Sequence, residues 1–171
     1  LPATIQIKTV ASVSADFHAR FSACGKRYVY RMVEGDADPF TRPYVWRFER
    51  ADRLDLEAMQ SAANILRGTH DFTALSANNG AEVLDAVRTI PRLALTVKGR
   101  ALKFVFEADG FLYKMVRSLV GALVAVGEGR LTPADLERLI AGRKRTKDVP
   151  TAPAHGLFLD RVFYPPQVRS P

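Results

Sequence analysis

The sequence predicts a single α+β domain over residues 1–171, with helices packed on one face of a mostly antiparallel sheet. Residues 92–98 and 101–107 alternate in period two around a Gly99-Arg100 turn, which predicts a hairpin. Residues 110–127 follow at once and are apolar almost all round, as in a buried core helix. Strand and helix patterns then occur in mixed order along the chain, which favours this class over an all-α or all-β domain.

The first half of the chain contains three strand patterns and one helix pattern. Strands are predicted at residues 4–13, 26–33 and 44–48, with turn chemistry between the last two. The helix is predicted over residues 54–66, followed at residues 76–82 by a loop expected to be mobile. One face of the second strand carries Tyr28, Tyr30 and Met32, and one side of the helix carries Leu56, Met59, Ala63 and Leu66.

The second half contains clearer start and stop signals. The hairpin places Leu102, Phe104 and Phe106 on its core face. A further helix is predicted over residues 132–142, with an N-cap Thr, Pro at the first helical position and a terminating Gly. A final strand at residues 156–164 ends at two prolines, which cannot continue a ladder.

The charge balance indicates a polyanionic partner. Lys and Arg number 25 against 18 Asp and Glu, a net charge of +7, which favours nucleic acid ahead of a membrane surface. Cys24 is the only cysteine, so a reducing compartment, and hence the cytoplasm, is expected. The longest apolar run, residues 116–126, is too short to span a bilayer.

Two cations interrupt the predicted core helix. Lys114 and Arg117 lie three apart, so a helix would place them on one face. An unpaired charge in an apolar core costs several kcal/mol, so Arg117 needs a carboxylate or a phosphate. One interpretation is a structural ion pair or a side chain that extends to the helix edge. The other is a site arginine that faces an acidic group in a cleft.

Several catalytic classes do not fit the sequence. The three histidines, His18, His70 and His155, lie in unrelated contexts without a G-x-S-x-G turn, which argues against acyl transfer. They also lack helix-spaced partners, so no metal site is predicted, and no glycine loop has a phosphate-binding context. Arginines interleaved with aromatic residues remain, a mixture suited to RNA phosphates and unstacked bases.

Five motifs resemble those of the tRNA pseudouridine synthase A (TruA) family. They are DFHARFSA (16–23), KRYVYR (26–31), GTHDF (68–72), FLYKMVRSLVG (111–121) and TAPAHGLFL (151–159). They occur in the family's order, and the resemblance covers the larger C-terminal part of such an enzyme. It implies a TruA-like fold, present in part, that acts on tRNA as a cytoplasmic homodimer without a metal or an organic cofactor.

The resemblance also implies a missing residue. Members of the family carry their nucleophilic aspartate in an Arg-Thr-Asp-Ala-Gly-Val-His segment upstream of the Leu-Pro pair with which this chain begins. That segment is absent from the sequence, and residues 145–148 do not match it. The chain alone is therefore expected to be inactive. The same arrangement would explain Arg117, since the family's arginine at this position pairs with that aspartate.

Three site residues are implied by the resemblance. Tyr28 matches the tyrosine that packs against the target base, Arg117 the arginine that orients the catalytic carboxylate, and Leu157 the leucine that walls the base pocket. The implied reaction isomerises uridine to pseudouridine in the tRNA anticodon stem-loop, at nucleotide positions 38 to 40.

The candidate phosphate contacts are basic residues near the motifs, and for the last three a solvated surface role stays open: Arg20, Lys26, Arg27, Arg143, Lys144 and Arg145. Two alternatives to an enzyme also stay open. One is a non-catalytic RNA-binding module, which would bind tRNA without isomerising it. The other is an assembly role, which would give only weak, salt-sensitive binding of nucleic acid.

Overall fold

A computed structural model describes residues 1–49, 54–77, 80 and 85–166. Its elements follow one another in mixed order, which confirms the predicted α+β class. They are β1 (Gly25–Glu34), β2 (Trp46–Phe48), α1 (Leu56–Ile65), β3 (Gly68–Asp71), β4 (Val87–Ile90), β5 (Arg92–Lys98), β6 (Ala101–Ala108), α2 (Met115–Gly127), α3 (Pro133–Gly142) and β7 (Leu157–Phe163).

The main sheet is built around β1. One edge of β1 pairs antiparallel with β6, which pairs in turn with β5 as the predicted hairpin. The other edge of β1 is shared, because β7 runs antiparallel beside Gly25–Tyr30 while β2 runs parallel beside Met32–Glu34. The sheet is therefore mostly antiparallel, as predicted. A separate two-stranded sheet joins β3 to β4, which the sequence analysis did not predict.

The hydrophobic core lies between one face of this sheet and the helices. Tyr30 of β1 and Phe104 and Phe106 of β6 are fully buried there, in one cluster with apolar residues of all three helices. Helix α2 is the centre of the cluster, since every one of its residues except Arg117 is buried. Burial of the inner face by the helices follows from the period-two alternation of β1 and β6.

The start of α3 follows the predicted capping signals, but the left-handed residue that ends it is Arg143, with φ of 51°, and not the predicted Gly142. Helix α3 begins with a capping box in which Thr132 and Asp135 each accept a backbone N–H of the other, and Pro133 occupies the first turn. Asp55 caps the N-terminus of α1, because its side chain accepts the backbone N–H of Ala58. The buried side of α1 differs slightly from the prediction, because Leu56 is largely exposed and Ala62 is buried.

Two local predictions need correction. Residues 4–13 form no strand, and their apolar side chains are exposed, since no neighbouring strand of the described part pairs with them. Helix α2 begins at Met115 and not at Gly110, because Lys114 has a left-handed backbone with φ of 55°. The Nζ of Lys114 lies 5.1 Å from the centroid of the Tyr113 ring. Lys114 and Arg117 therefore do not share a helical face. Of the predicted mobile loop, residues 78, 79, 81 and 82 lie outside the described residues.

Candidate active site

Arg117 lies in the first turn of α2 and is the one partly exposed residue of that buried helix. Its Nε donates a hydrogen bond of 2.6 Å to the carbonyl oxygen of Ala152. The backbone N–H of Ala152 donates in return to the carbonyl oxygen of Arg117, at 3.0 Å. Among the described residues no carboxylate oxygen lies within 4.0 Å of the guanidinium. The structural ion pair considered from the sequence is thus not found in this part of the chain.

The segment that holds Arg117 is residues 149–153, which we call the strap. The strap runs along α2, and a Cβ atom at Gly121 would lie only 2.1 Å from the carbonyl oxygen of Pro150. Glycine at position 121 therefore allows the strap backbone to approach the helix closely. One residue beyond Ala152, the carbonyl oxygen of Pro153 accepts a hydrogen bond of 2.8 Å from the Tyr30 hydroxyl. The strap thus connects α2 to the central strand.

Tyr30 links the parts of the site and was not predicted as a site residue. Burial raises the pKa of its phenol, while the positive charge of Arg117 lowers that pKa to a smaller extent, so the two groups interact. The Tyr30 ring also contacts Gly156, where an added Cβ would lie 2.9 Å from Cζ. Its position on β1, two residues after Tyr28, was the available signal in the sequence.

Tyr28 lies on the same face of β1 as Tyr30 but is only partly buried. Its ring packs edge-to-face against Phe111, with 5.1 Å between centroids, so the approach to α2 lies directly beside it. Burial raises the pKa of the Tyr28 hydroxyl above its usual value of 10.0. Leu159 of β7 lies opposite Tyr28 and is 52% exposed.

Leu157 lies opposite Tyr30 on β7, and its partly buried side chain packs against the core. Residues directly opposite on paired strands point to the same face, so Leu157 and Tyr30 are neighbours on the helix side of the sheet. The structure therefore brings Tyr28, Arg117 and Leu157 together around Tyr30. The resulting surface combines the edge of an aromatic ring, two leucines and a guanidinium.

The predicted phosphate contacts are more scattered. Lys26 lies on the Tyr28 face of β1 and is partly exposed, while Arg20 and Lys144 are exposed. Arg27 points to the opposite face, where its Nε lies 2.9 Å from Oε1 of Glu107. Arg143 is exposed but its Nε lies 3.3 Å from Oδ2 of Asp71. Lys26, Arg20 and Lys144 are therefore the cations of this set that have no ion-pair partner among the described residues.

Arg145 differs from the expected phosphate contact. Its Nη1 donates to the carbonyl oxygen of Ser76 at 3.0 Å and to Oγ of Ser118 at 2.8 Å. Its Nη2 donates to the carbonyl oxygen of Val149 at 2.9 Å and to Oγ1 of Thr151 at 3.0 Å. The side chain is half-buried, and burial lowers its pKa. Arg145 therefore connects the strap to α2 and to the loop at Ser76, and its position in the sequence did not indicate this role.

The described residues offer neither a metal site nor a membrane-spanning helix. No group of three or more His, Cys, Asp or Glu side chains is arranged to hold a metal ion there. Nor does that part of the chain contain a helix with the length and apolar character needed to cross a membrane.

Comparison with known proteins gives the family. A sequence model of the family described as tRNA pseudouridine synthase matches residues 62–165. A tRNA pseudouridine synthase A of Geobacillus kaustophilus is 43% identical over 96% of this chain, and one of Halalkalibacterium halodurans is 45% identical over 94%. One of Leuconostoc citreum is 44% identical over 96%. The chain belongs to the tRNA pseudouridine synthase family, which confirms the resemblance seen in its motifs.

The chain matches only part of each relative. The chain spans 63%, 60% and 63% of the length of these three proteins. Among solved structures, a chain of a Cbf5-Nop10-Gar1 complex is 16% identical, with a TM-score of 0.34 over 62% of this chain, a likeness too distant to carry an argument.

Proposed function

We propose that the protein containing this chain isomerises uridine to pseudouridine in tRNA, and that the chain supplies the arginine and tyrosine side of the active site. The observation that carries the proposal is Arg117, which is held by Ala152 at the border of the core and has no carboxylate partner in the described part. The names of the relatives, tRNA pseudouridine synthase A, support the same reaction and substrate.

Arg117 orients the nucleophilic aspartate supplied by the full-length protein. Its Nε is engaged by the Ala152 carbonyl, so the two terminal nitrogens are left for a bidentate contact with a carboxylate. A cation within about 4–6 Å lowers the pKa of a carboxylate and keeps it ionised at neutral pH. Arg117 would therefore maintain the nucleophile in its reactive form and in one orientation.

The reaction is an isomerisation, so uridine and pseudouridine contain the same atoms and the same number of electrons. With the help of the aspartate, the C1′–N1 bond breaks, the detached base turns, and a C1′–C5 bond forms. The proton on C5 is lost and N1 acquires one. No oxidant or reductant is consumed, which fits a site built from a carboxylate, a guanidinium and a phenol.

Tyr28 and Leu157 hold the base during this turn. The Tyr28 ring packs against the flipped base, and its protonated hydroxyl is available for proton transfer. Leu157 walls the pocket from the β7 side. Extracting a uridine from its stack costs a few kcal/mol, which the stacking and pocket contacts offset.

The substrate and partners follow from the same proposal. The tRNA backbone would be held by Lys26, Arg20 and Lys144, the three predicted cations without an ion-pair partner in the described part. The full-length protein would act in the cytoplasm as a homodimer. The uridines modified would be those of the anticodon stem-loop.

A non-catalytic RNA-binding module is the second candidate, favoured by the net charge of +7. Arg117→Ala in the full-length protein separates the two. We expect this variant to lose pseudouridine formation by about 100-fold or more, because one electrostatic contact is removed from the reacting groups, while tRNA binding is largely retained. Arg47→Ala, at a guanidinium paired with Asp36, is the control and should retain both. Turnover at the normal rate in Arg117→Ala would contradict the proposed role, and a wild-type protein that binds tRNA without forming pseudouridine would favour the second candidate.

A further inference from the structure

The four hydrogen bonds of Arg145 join three segments that are far apart in the sequence. One terminal nitrogen reaches the loop at Ser76 and the side chain of Ser118 on α2, and the other reaches Val149 and Thr151 of the strap. Ser118 is fully buried, so this contact lies inside the protein. The guanidinium thus fastens the strap to the first turns of α2.

The fastened region also holds Arg117. Thr151 precedes Ala152, which makes both backbone contacts to Arg117, and Ser118 follows Arg117 on the helix. On the other side, Ala77 next to Ser76 donates its N–H to the carbonyl oxygen of Tyr113, at the approach to α2. Arg145 therefore braces both segments that flank Arg117.

We propose that Arg145 is a positioning residue for Arg117. It fixes the strap so that the Ala152 carbonyl holds the Arg117 guanidinium in the orientation needed to receive the catalytic carboxylate. This inference rests on the proposed function for its catalytic consequence. Its structural part, that Arg145 holds the strap against α2, stands on the hydrogen bonds alone.

Lysine cannot replace arginine in this role. An ammonium is a compact charge with one nitrogen, whereas the planar guanidinium donates from two terminal nitrogens in a fixed fork. Here those two nitrogens serve acceptors on opposite sides, the helix and loop on one and the strap on the other. Arg145→Lys therefore keeps the charge but is expected to lose the hydrogen bonds either to α2 and the loop or to the strap.

The structural part is tested by amide hydrogen exchange in the full-length protein. Exchange at the Ala152 N–H, which donates to the Arg117 carbonyl oxygen, is compared in wild type, Arg145→Lys and Thr151→Val, with Arg47→Ala as the control. We expect faster exchange at Ala152 in the first two variants, larger in Arg145→Lys because more contacts are lost, and no change in the control. Unchanged exchange at Ala152 in Arg145→Lys would overturn the inference.

The catalytic part is tested with the same variants under single turnover with saturating tRNA. Misplacing a reacting group by about 1 Å costs on the order of 100-fold, so we expect Arg145→Lys to slow the chemical step by about 10- to 100-fold. The dissociation constant for tRNA should stay at the wild-type value. A wild-type rate in Arg145→Lys, or a loss confined to tRNA affinity, would refute the positioning role. If the wild-type protein formed no pseudouridine, the proposed function would fail while the exchange data would still decide the structural part.

Discussion

Tyr30 is the residue through which the parts of the site contact one another. Its hydroxyl donates to the strap at Pro153, its ring touches Gly156, and it lies opposite Leu157 on β7. It is fully buried, and its phenol interacts with the charge of Arg117. A tyrosine is suited to this position because its ring fills core space while its hydroxyl satisfies a strap carbonyl.

Replacing Tyr30 with Phe should lower stability and change its dependence on pH. Loss of the hydrogen bond to Pro153 costs about 1 kcal/mol and leaves that carbonyl without this donor. Burial raises the pKa of Tyr30 above 10.0, so its contribution to stability is complete below about pH 10 and is lost as pH rises through the higher folded-state value.

Urea unfolding near about pH 8 and about pH 11 checks both effects. Wild type should lose stability at the alkaline pH, and Tyr30→Phe should lose less between the two conditions. Tyr44→Phe, at an exposed tyrosine, is the control and should behave as wild type. An alkaline loss of equal size in wild type and Tyr30→Phe would contradict the role assigned to burial of this phenol.

Two glycines of α2 allow neighbouring segments to approach the helix closely. Gly121 admits the Pro150 carbonyl, and Gly127 admits Met59 of α1, where an added Cβ would lie 2.6 Å from the sulfur. The second contact can relax through a flexible side chain, but the first involves backbone. The contact of α2 with the strap at Gly121 therefore tolerates an added side chain less well than its contact with α1 at Gly127.

Gly121→Ala should therefore destabilise the protein, even though alanine is the better helix former. The added methyl group forces the strap away from α2, and overpacking of this kind costs about 1–3 kcal/mol. Gly142→Ala at the end of α3, where an added Cβ meets nothing within 4 Å, is the matched control and should be neutral or stabilising. Thermal unfolding measures both, and a melting temperature for Gly121→Ala at or above that of wild type would contradict the close contact.

Elements with local signals were predictable from the sequence. The β5–β6 hairpin, the buried helix and the capped helix α3 each depend on periodicity or on end residues within a few positions. Pairing between distant segments was not predictable. Residues 4–13 alternate as a strand but pair with no strand of the described residues, and the β3–β4 sheet joins segments about 20 residues apart.

The candidate site shows the same division. Tyr28, Arg117 and Leu157 were predicted because motifs carry them, and the structure brings them together around Tyr30. The structural role of Arg145 was not predicted, because its hydrogen-bond acceptors belong to residues 76, 118, 149 and 151, which lie close together only in the folded chain. The surplus of positive charge likewise did not reveal which cations are engaged within the protein.

The positive charge of the molecule predicts how tRNA binding responds to salt. Each phosphate contact releases counterions, so removing one such contact should reduce the slope of log affinity against log salt by about 1. We expect this for Lys144→Ala and Arg20→Ala in the full-length protein. Arg47→Ala, at a guanidinium paired with Asp36, is the control and should leave the slope unchanged. Equal slopes in all four proteins, wild type included, would remove Lys144 and Arg20 from the binding surface.

The molecule as a whole is interpreted as the part of a pseudouridine synthase that aligns the base and the catalytic carboxylate. The most direct test is release of tritium from uridine labelled at C5 of tRNA, because the C5 proton must leave when C1′ bonds to C5. The full-length wild-type protein should release tritium, and Tyr28→Phe should release essentially none while binding tRNA normally. Release by Tyr28→Phe at the wild-type rate, or no release by the wild-type protein, would contradict this account.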